Sequence, residues 1–201
     1  MGYVSGPMRP FGCALLASAV LAIASPASAL SGLDKARLAQ GESVVEPTTL
    51  RRDDHKFVGG VSYRIVDADE HAVSKIIRDP QRWRELLPRV TDVQLGKIDE
   101  HGRGHVRLTH AFGPFSGSYS VVIAFSDKGR SARFWIDKKQ ENALEDGWGY
   151  VRLTPLPGGK TLVTWGVLFD LGDGLTRSLF EGKIQRLALE FPRRLAHAAT
   201  H

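Results

Sequence analysis

Residues 161–195 read TLVTWGVLFDLGDGLTRSLFEGKIQRLALEFPRRL. The period of the apolar residues changes inside this stretch. Thr161 to Leu171 is strand-like, with Val163, Trp165, Val167 and Phe169 together on one side. From Asp173, a fitting N-cap, the spacing becomes helical. Leu175, Leu179, Phe180, Ile184, Leu187, Ala188, Phe191 and Leu195 recur at i, i+3 and i+4 and make one apolar stripe. Arg177, Lys183, Arg186, Arg193 and Arg194 fall largely off it. Such a helix spans ~24 residues, or ~36 Å, and Pro192 should kink it or end it earlier. A strand that hands over to a long amphipathic helix implies a sheet for that helix to cover.

The preceding chain supplies that sheet. Five further strands follow Pro88: Val90 to Ile98, His105 to Phe112, a strand through Tyr119, Val121, Ile123 and Phe125, one through Ala132, Phe134 and Ile136, and Trp148 to Thr154. Short turns join them, which favours antiparallel pairing. Before them, Phe57 to Asp67 alternates, with Val61, Tyr63 and Ile65 on one side. Ala68 to Leu87 then carries two short helices. Val73, Ile76 and Ile77 mark the first, which Asp79-Pro80 ends; Trp83, Leu86 and Leu87 mark the second, which Pro88 ends. The expected fold is α+β: a curved antiparallel sheet wrapped around a long C-terminal helix, with two short helices after the first strand.

Two segments precede this domain. Residues 1–29 read as a secretory signal peptide: Arg9, the apolar run Phe11 to Ile23, then Ala27-Ser28-Ala29 as a cleavage site. Cleavage there predicts a periplasmic or secreted protein that starts near Leu30. Residues 30–56 form an N-terminal extension, with a short helix capped by Ser31 and stopped at Gly41, and strand-like residues from Ser43 to Leu50. The domain proper is 57–201.

The order of elements and certain motifs resemble the START-like superfamily, also called SRPBCC or Bet v 1-like. The residues that carry the resemblance are Asp79-Pro80, Trp83, Leu87-Pro88-Arg89-Val90, Gly147-Trp148-Gly149-Tyr150, Gly159-Lys160-Thr161-Leu162-Val163 and Leu171-Gly172. The branch most alike is the polyketide cyclase/dehydrase and coenzyme-Q-binding one. The resemblance covers about Phe57 to Leu195. It implies a helix-grip fold with a deep apolar cavity between sheet and helix, holding a lipid, isoprenoid or polyketide-like molecule. These motifs are structural, so they speak to fold more than to activity.

Composition narrows the remaining classes. The chain has 201 residues, 42% hydrophobic and 24% charged, which is ordinary for a globular protein. A net charge of +5 does not demand a nucleic-acid partner, and no nucleic-acid-binding motif occurs. The single cysteine, Cys13, excludes an intramolecular disulfide. No Gly-x-Ser-x-Gly elbow and no dinucleotide fingerprint are present, so no cofactor is expected. Gly159-Lys160-Thr161 reads as a hairpin turn, because Thr154 stands where a phosphate loop needs glycine. His101, His105 and His110 lie in a turn and on opposite strand faces, so no metal site is expected of them.

The candidate ligand-binding residues are Tyr63, His110, Phe112, Tyr119, Phe134, Trp165, Phe169, Leu179, Ile184 and Leu187. His110 shares strand parity with Val106, Leu108 and Phe112, so it should face the apolar side. A lone inward histidine is more often a packing residue than a catalyst; in a cavity it can orient a ligand or move a proton. The expected function is a non-enzymatic, exported, monomeric binder or carrier of a hydrophobic small molecule. The alternatives are a cyclase, dehydratase or hydrolase working through His110 in the same cavity, and a domain with a filled core. The basic helix face could touch anionic membrane headgroups transiently.

Overall fold

In the computed structural model, the alternating stretches pair into one eight-stranded antiparallel sheet. Residues 30–98, 103–112, 115–126, 128–173 and 175–200 are described. The signal-peptide segment lies outside them.

The extension contributes to the sheet. Ser31 caps helix α1, Gly32–Ala39, through a capping box with Asp34. Gly41 then takes a positive φ of 79° and turns the chain into strand β1, Val44–Arg52. β1 pairs along β2, His55–Val66, as an edge strand, and Pro47 blunts that edge. Helix α2, Glu70–Arg78, is capped by Asp69, and Asp79-Pro80 ends it. A single turn leads to helix α3, Trp83–Leu86. Then come β3 (Val90–Ile98), β4 (Arg103–Phe112), β5 (Phe115–Phe125), β6 (Ser131–Ile136), β7 (Asp146–Leu156) and β8 (Lys160–Asp170). The strand order is β1-β2-β8-β7-β6-β5-β4-β3. Gly158 and Gly159, at φ 77° and 68°, make the β7–β8 hairpin turn.

β2 is hemmed in on both sides at Gly59-Gly60. A Cβ on Gly59 would lie 1.9 Å from the Val167 carbonyl oxygen, and one on Gly60 would lie 2.2 Å from that of Glu46. Only glycine permits that close approach of neighbouring strands.

The long C-terminal helix is two helices packed on the sheet. Helix α4, Leu175–Ala188, stops before Leu189-Glu190, and helix α5, Phe191–Ala199, starts anew. Pro192 lies in the first turn of α5, where its missing N–H costs nothing.

The two faces of the sheet bury different cores. The concave face packs Val106, Leu108, Ile123, Val151, Val163 and Trp165 against Val73, Leu86 and Leu195 of the helices. A smaller core of Leu30, Leu38, Val44, Tyr63 and Leu162 lies under α1. Leu162 and Val163 are consecutive on β8, so they point to opposite faces. The smaller core is therefore on the convex side.

Candidate functional site

The concave core is not filled throughout. Its α5 end is solid: Phe191, Leu195 and Ala198 are buried. Its α4 end is open inside. Phe180, Ile184 and Leu187 of α4 are only partly buried, and they roof a cavity of about 420 Å³. That volume suits a small organic ligand. The floor comes from β4 to β8, and Ile77, Trp83, Leu87 and Pro88 close one end.

One wall is a column of rings. Phe134 stacks on Trp165 at 4.9 Å between centroids, and Trp165 stacks on Phe191 at 4.2 Å. The indole N–H groups of Trp165 and Trp83 are turned away from service to a ligand. Trp165 Nε1 donates to the Ala188 carbonyl at 2.9 Å, and Trp83 Nε1 donates to the Ile77 carbonyl at 2.8 Å. The rings therefore offer apolar surface alone.

The polar end is a histidine–tyrosine pair. His110 on β4 is opposite Gly117 on β5, which places Tyr119 diagonally across from it. His110 Nε2 lies 2.8 Å from Tyr119 Oη, and His110 Nδ1 lies 3.1 Å from the Pro88 carbonyl oxygen. That carbonyl belongs to a tight turn. Arg89 takes φ 63°, and the Val90 N–H reaches the Leu87 carbonyl at 3.4 Å. Proline followed by a positive φ is the pattern of a type II turn. Burial lowers the His110 pKa below its ordinary 6.5, partly offset by the Pro88 bond. Burial pushes the Tyr119 phenol well above its ordinary 10.0. The pair is thus an uncharged imidazole and an uncharged phenol at neutral pH. Ser116 and Asp173 also line the cavity, but both are exposed at its rim.

Seven of the ten residues expected at the site line this cavity: His110, Tyr119, Phe134, Trp165, Phe169, Ile184 and Leu187. The side chains of Phe112 and Leu179 lie outside the described part. Tyr63 is elsewhere. It is 2% exposed in the convex core, where burial, helped by Glu46 and Tyr150, pushes its pKa up to about 12. Its alternation with Val61 and Ile65 is real, but that side of β2 meets α1 rather than the cavity. Trp83, Phe191 and Leu144 also line the cavity, outside the expected set. Trp83 stands within a family motif and Phe191 within the helix stripe, so both carried a signal; Leu144 sits in a polar loop and carried none.

The other histidines serve elsewhere. His105 Nδ1 pairs with Asp137 at 2.9 Å and His55 Nδ1 with Asp170 at 2.8 Å. His101 lies outside the described residues. Among the described residues, no three His, Cys, Asp or Glu side chains gather as metal ligands. No described helix is long and apolar enough to cross a membrane.

The profile of the family described as polyketide cyclase/dehydrase and lipid transport matches residues 60–196. No curated protein matches the sequence. Solved structures match the fold. A STAR-related lipid transfer protein from Xanthomonas axonopodis is 13% identical, with a TM-score of 0.60, covering 77% of this chain and 99% of that one. The Zhui aromatase/cyclase from a Streptomyces species is 13% identical, with a TM-score of 0.59 and coverages of 79% and 94%. A protein from Thermus thermophilus is 16% identical, with a TM-score of 0.59 and coverages of 70% and 95%. At these identities the likeness establishes the fold alone.

Proposed function

Because this chain belongs to the polyketide cyclase/dehydrase and lipid transport family of the START superfamily, we propose that it is an exported, non-enzymatic binder or carrier of a hydrophobic small molecule. The observation that carries this reading is the cavity of about 420 Å³, walled by stacked rings and aliphatic side chains, with one uncharged polar pair, His110 and Tyr119, in its lining. Burying about 300 Å² of apolar ligand surface at ~25 cal/mol per Å² contributes ~7.5 kcal/mol before the costs of association. His110 and Tyr119 then orient one polar end of a lipid or isoprenoid. Lys183 and Arg186, exposed on α4, can touch anionic headgroups during loading.

One observation favours a second reading, that of a cyclase, dehydratase or hydrolase. The Tyr119–His110 bond places two proton-bearing groups inside the cavity. Against it, Nε2 of His110 is engaged by Tyr119, and the acidic lining residue, Asp173, is at the exposed rim. The deciding experiment is mass spectrometry of the molecule that co-purifies with the folded protein, followed by its incubation with wild type and His110→Phe. A carrier returns it intact from both, with affinity within about tenfold, since a neutral hydrogen bond is worth ~0.5–1.5 kcal/mol. Conversion by wild type and a ~10²–10⁴-fold slower reaction in the variant would establish the enzyme instead.

The export part has its own test. N-terminal sequencing of protein from the cell exterior or periplasm should begin near Leu30, which leaves the Ser31 cap of α1 intact. Full-length protein retaining Met1 in the cytosol would overturn it.

A further inference from the structure

The geometry of the polar pair fixes which kind of ligand end the cavity accepts. The Pro88 carbonyl can only accept a hydrogen bond. The imidazole nitrogen 3.1 Å from it, Nδ1, therefore carries a proton. In a neutral ring the other nitrogen, Nε2, is then an acceptor. The Tyr119 hydroxyl, 2.8 Å away, has one proton and gives it to Nε2. Its oxygen keeps accepting lone pairs but has no proton left for the cavity. Trp83 and Trp165 spend their indole N–H groups on backbone carbonyls, and Trp148, the third lining tryptophan, has the opposite strand parity to Val151 and packs its ring on Phe57. Among the described lining residues there is no lysine or arginine to neutralise a carboxylate. Among the described side chains, the His110–Tyr119 end of the cavity thus presents an acceptor and no donor.

We propose that the cavity selects apolar molecules that end in a hydroxyl donor, an alcohol or a phenol, over those ending in a carbonyl, ether or carboxylate. This rests on the reading that the cavity binds an apolar ligand, and it adds the class of the polar end. A carbonyl or ether oxygen would face the Tyr119 oxygen, acceptor against acceptor. A carboxylate would in addition leave water with no cation to meet it. A hydroxyl donates to Tyr119 and extends the chain ligand–Tyr119–His110–Pro88, in which each bond polarises the next.

The test uses quenching of protein tryptophan fluorescence by pyrene, hydroxypyrene, methoxypyrene and pyrene carboxaldehyde. It is run about one unit above the ordinary histidine pKa of 6.5. Pyrene reports the apolar cavity itself; the other three report its polar end. Hydroxypyrene should bind about three- to tenfold tighter than methoxypyrene or the aldehyde. Tyr119→Phe should bring the three within about twofold of one another while pyrene binds unchanged. His110→Phe should invert the order, because the Tyr119 proton is then free to meet the aldehyde oxygen. That variant carries the test if Tyr119→Phe does not fold, and a packing role for the pair would not produce an inversion. Binding of pyrene with no preference for hydroxypyrene, or with the aldehyde tightest in wild type, overturns the hydroxyl selection and leaves the cavity reading standing. Failure of all four to bind overturns the cavity reading and this one with it.

Discussion

Trp165 and Phe191 stack with ring centroids 4.2 Å apart and planes 20° apart. The contact joins the concave face of β8 to the first residue of α5. It marks the border between two regions under the C-terminal helices. On the α5 side Leu195 is 0% exposed in a filled core; on the α4 side Ile184 faces empty space. Truncating these two side chains should therefore cost different amounts. Leu195→Ala leaves a void in close packing and should lower stability by ~2–5 kcal/mol. Ile184→Ala removes atoms that already lack neighbours on one side, and should cost ~1 kcal/mol. Urea unfolding measures both. Equal losses would mean that α4 covers a filled core.

Acid should act through His110. Its folded pKa is lowered by burial, so the folded state resists the proton that the unfolded chain accepts. Above the ordinary value of 6.5 both states are neutral and the group contributes nothing pH-dependent. As pH falls below 6.5 the unfolded chain takes up the proton first, so stability declines until the folded value is passed, then levels. The difference between wild type and His110→Phe in urea titrations isolates the His110 contribution. A difference that stays flat between neutral pH and mild acid would contradict the neutral buried imidazole.

The sequence carried the sheet, its antiparallel order and the inward face of His110, because alternation records parity directly. It carried the helix break too, since Pro192 admits no other partner than a helix start or a kink. It did not carry the place of Tyr63. Alternation tells which residues share a face, not which core that face meets, and this chain has a second core built by residues 30–56. Nor could it distinguish a lined space from a filled one, because the same apolar residues serve both. The His110–Tyr119 bond depends on the register of the β4–β5 hairpin, which periodicity leaves open.

Arg89 should be a control point for that bond. A non-glycine residue at φ 63° stores backbone strain of about 1 kcal/mol, and its conformation aims the Pro88 carbonyl at His110. Arg89→Gly adopts the same turn freely and should keep both stability and the Nδ1–H tautomer. Arg89→Val resists a positive φ and should lose ~1–2 kcal/mol, with the tautomer no longer fixed. Nitrogen NMR of the His110 ring reads the tautomer, and urea unfolding the stability. An unchanged Nδ1–H signal in a folded valine variant would show that the turn does not set it.

Tyr63 and Tyr119 give the sharpest contrast between the two cores. Both are phenols on the sheet whose pKa burial raises, and both were candidates for the ligand. Tyr63 packs with Leu30, Leu38, Val44 and Leu162 on the convex face, with the sheet between it and the cavity. Tyr63→Ala should open a void in that small core and lower stability by about 3 kcal/mol or more. In the protein that remains folded, pyrene affinity and the preference for hydroxypyrene should stay within about twofold of wild type, since no cavity atom is lost. Tyr119→Phe should do the reverse, with little change in unfolding and loss of the preference. The measurement is the same pair of experiments on both variants: urea unfolding, then tryptophan quenching at a urea-free condition where each is folded. A folded Tyr63→Ala protein that no longer binds pyrene would mean that the convex core shapes the cavity through the sheet, and the independence of the two faces would be lost.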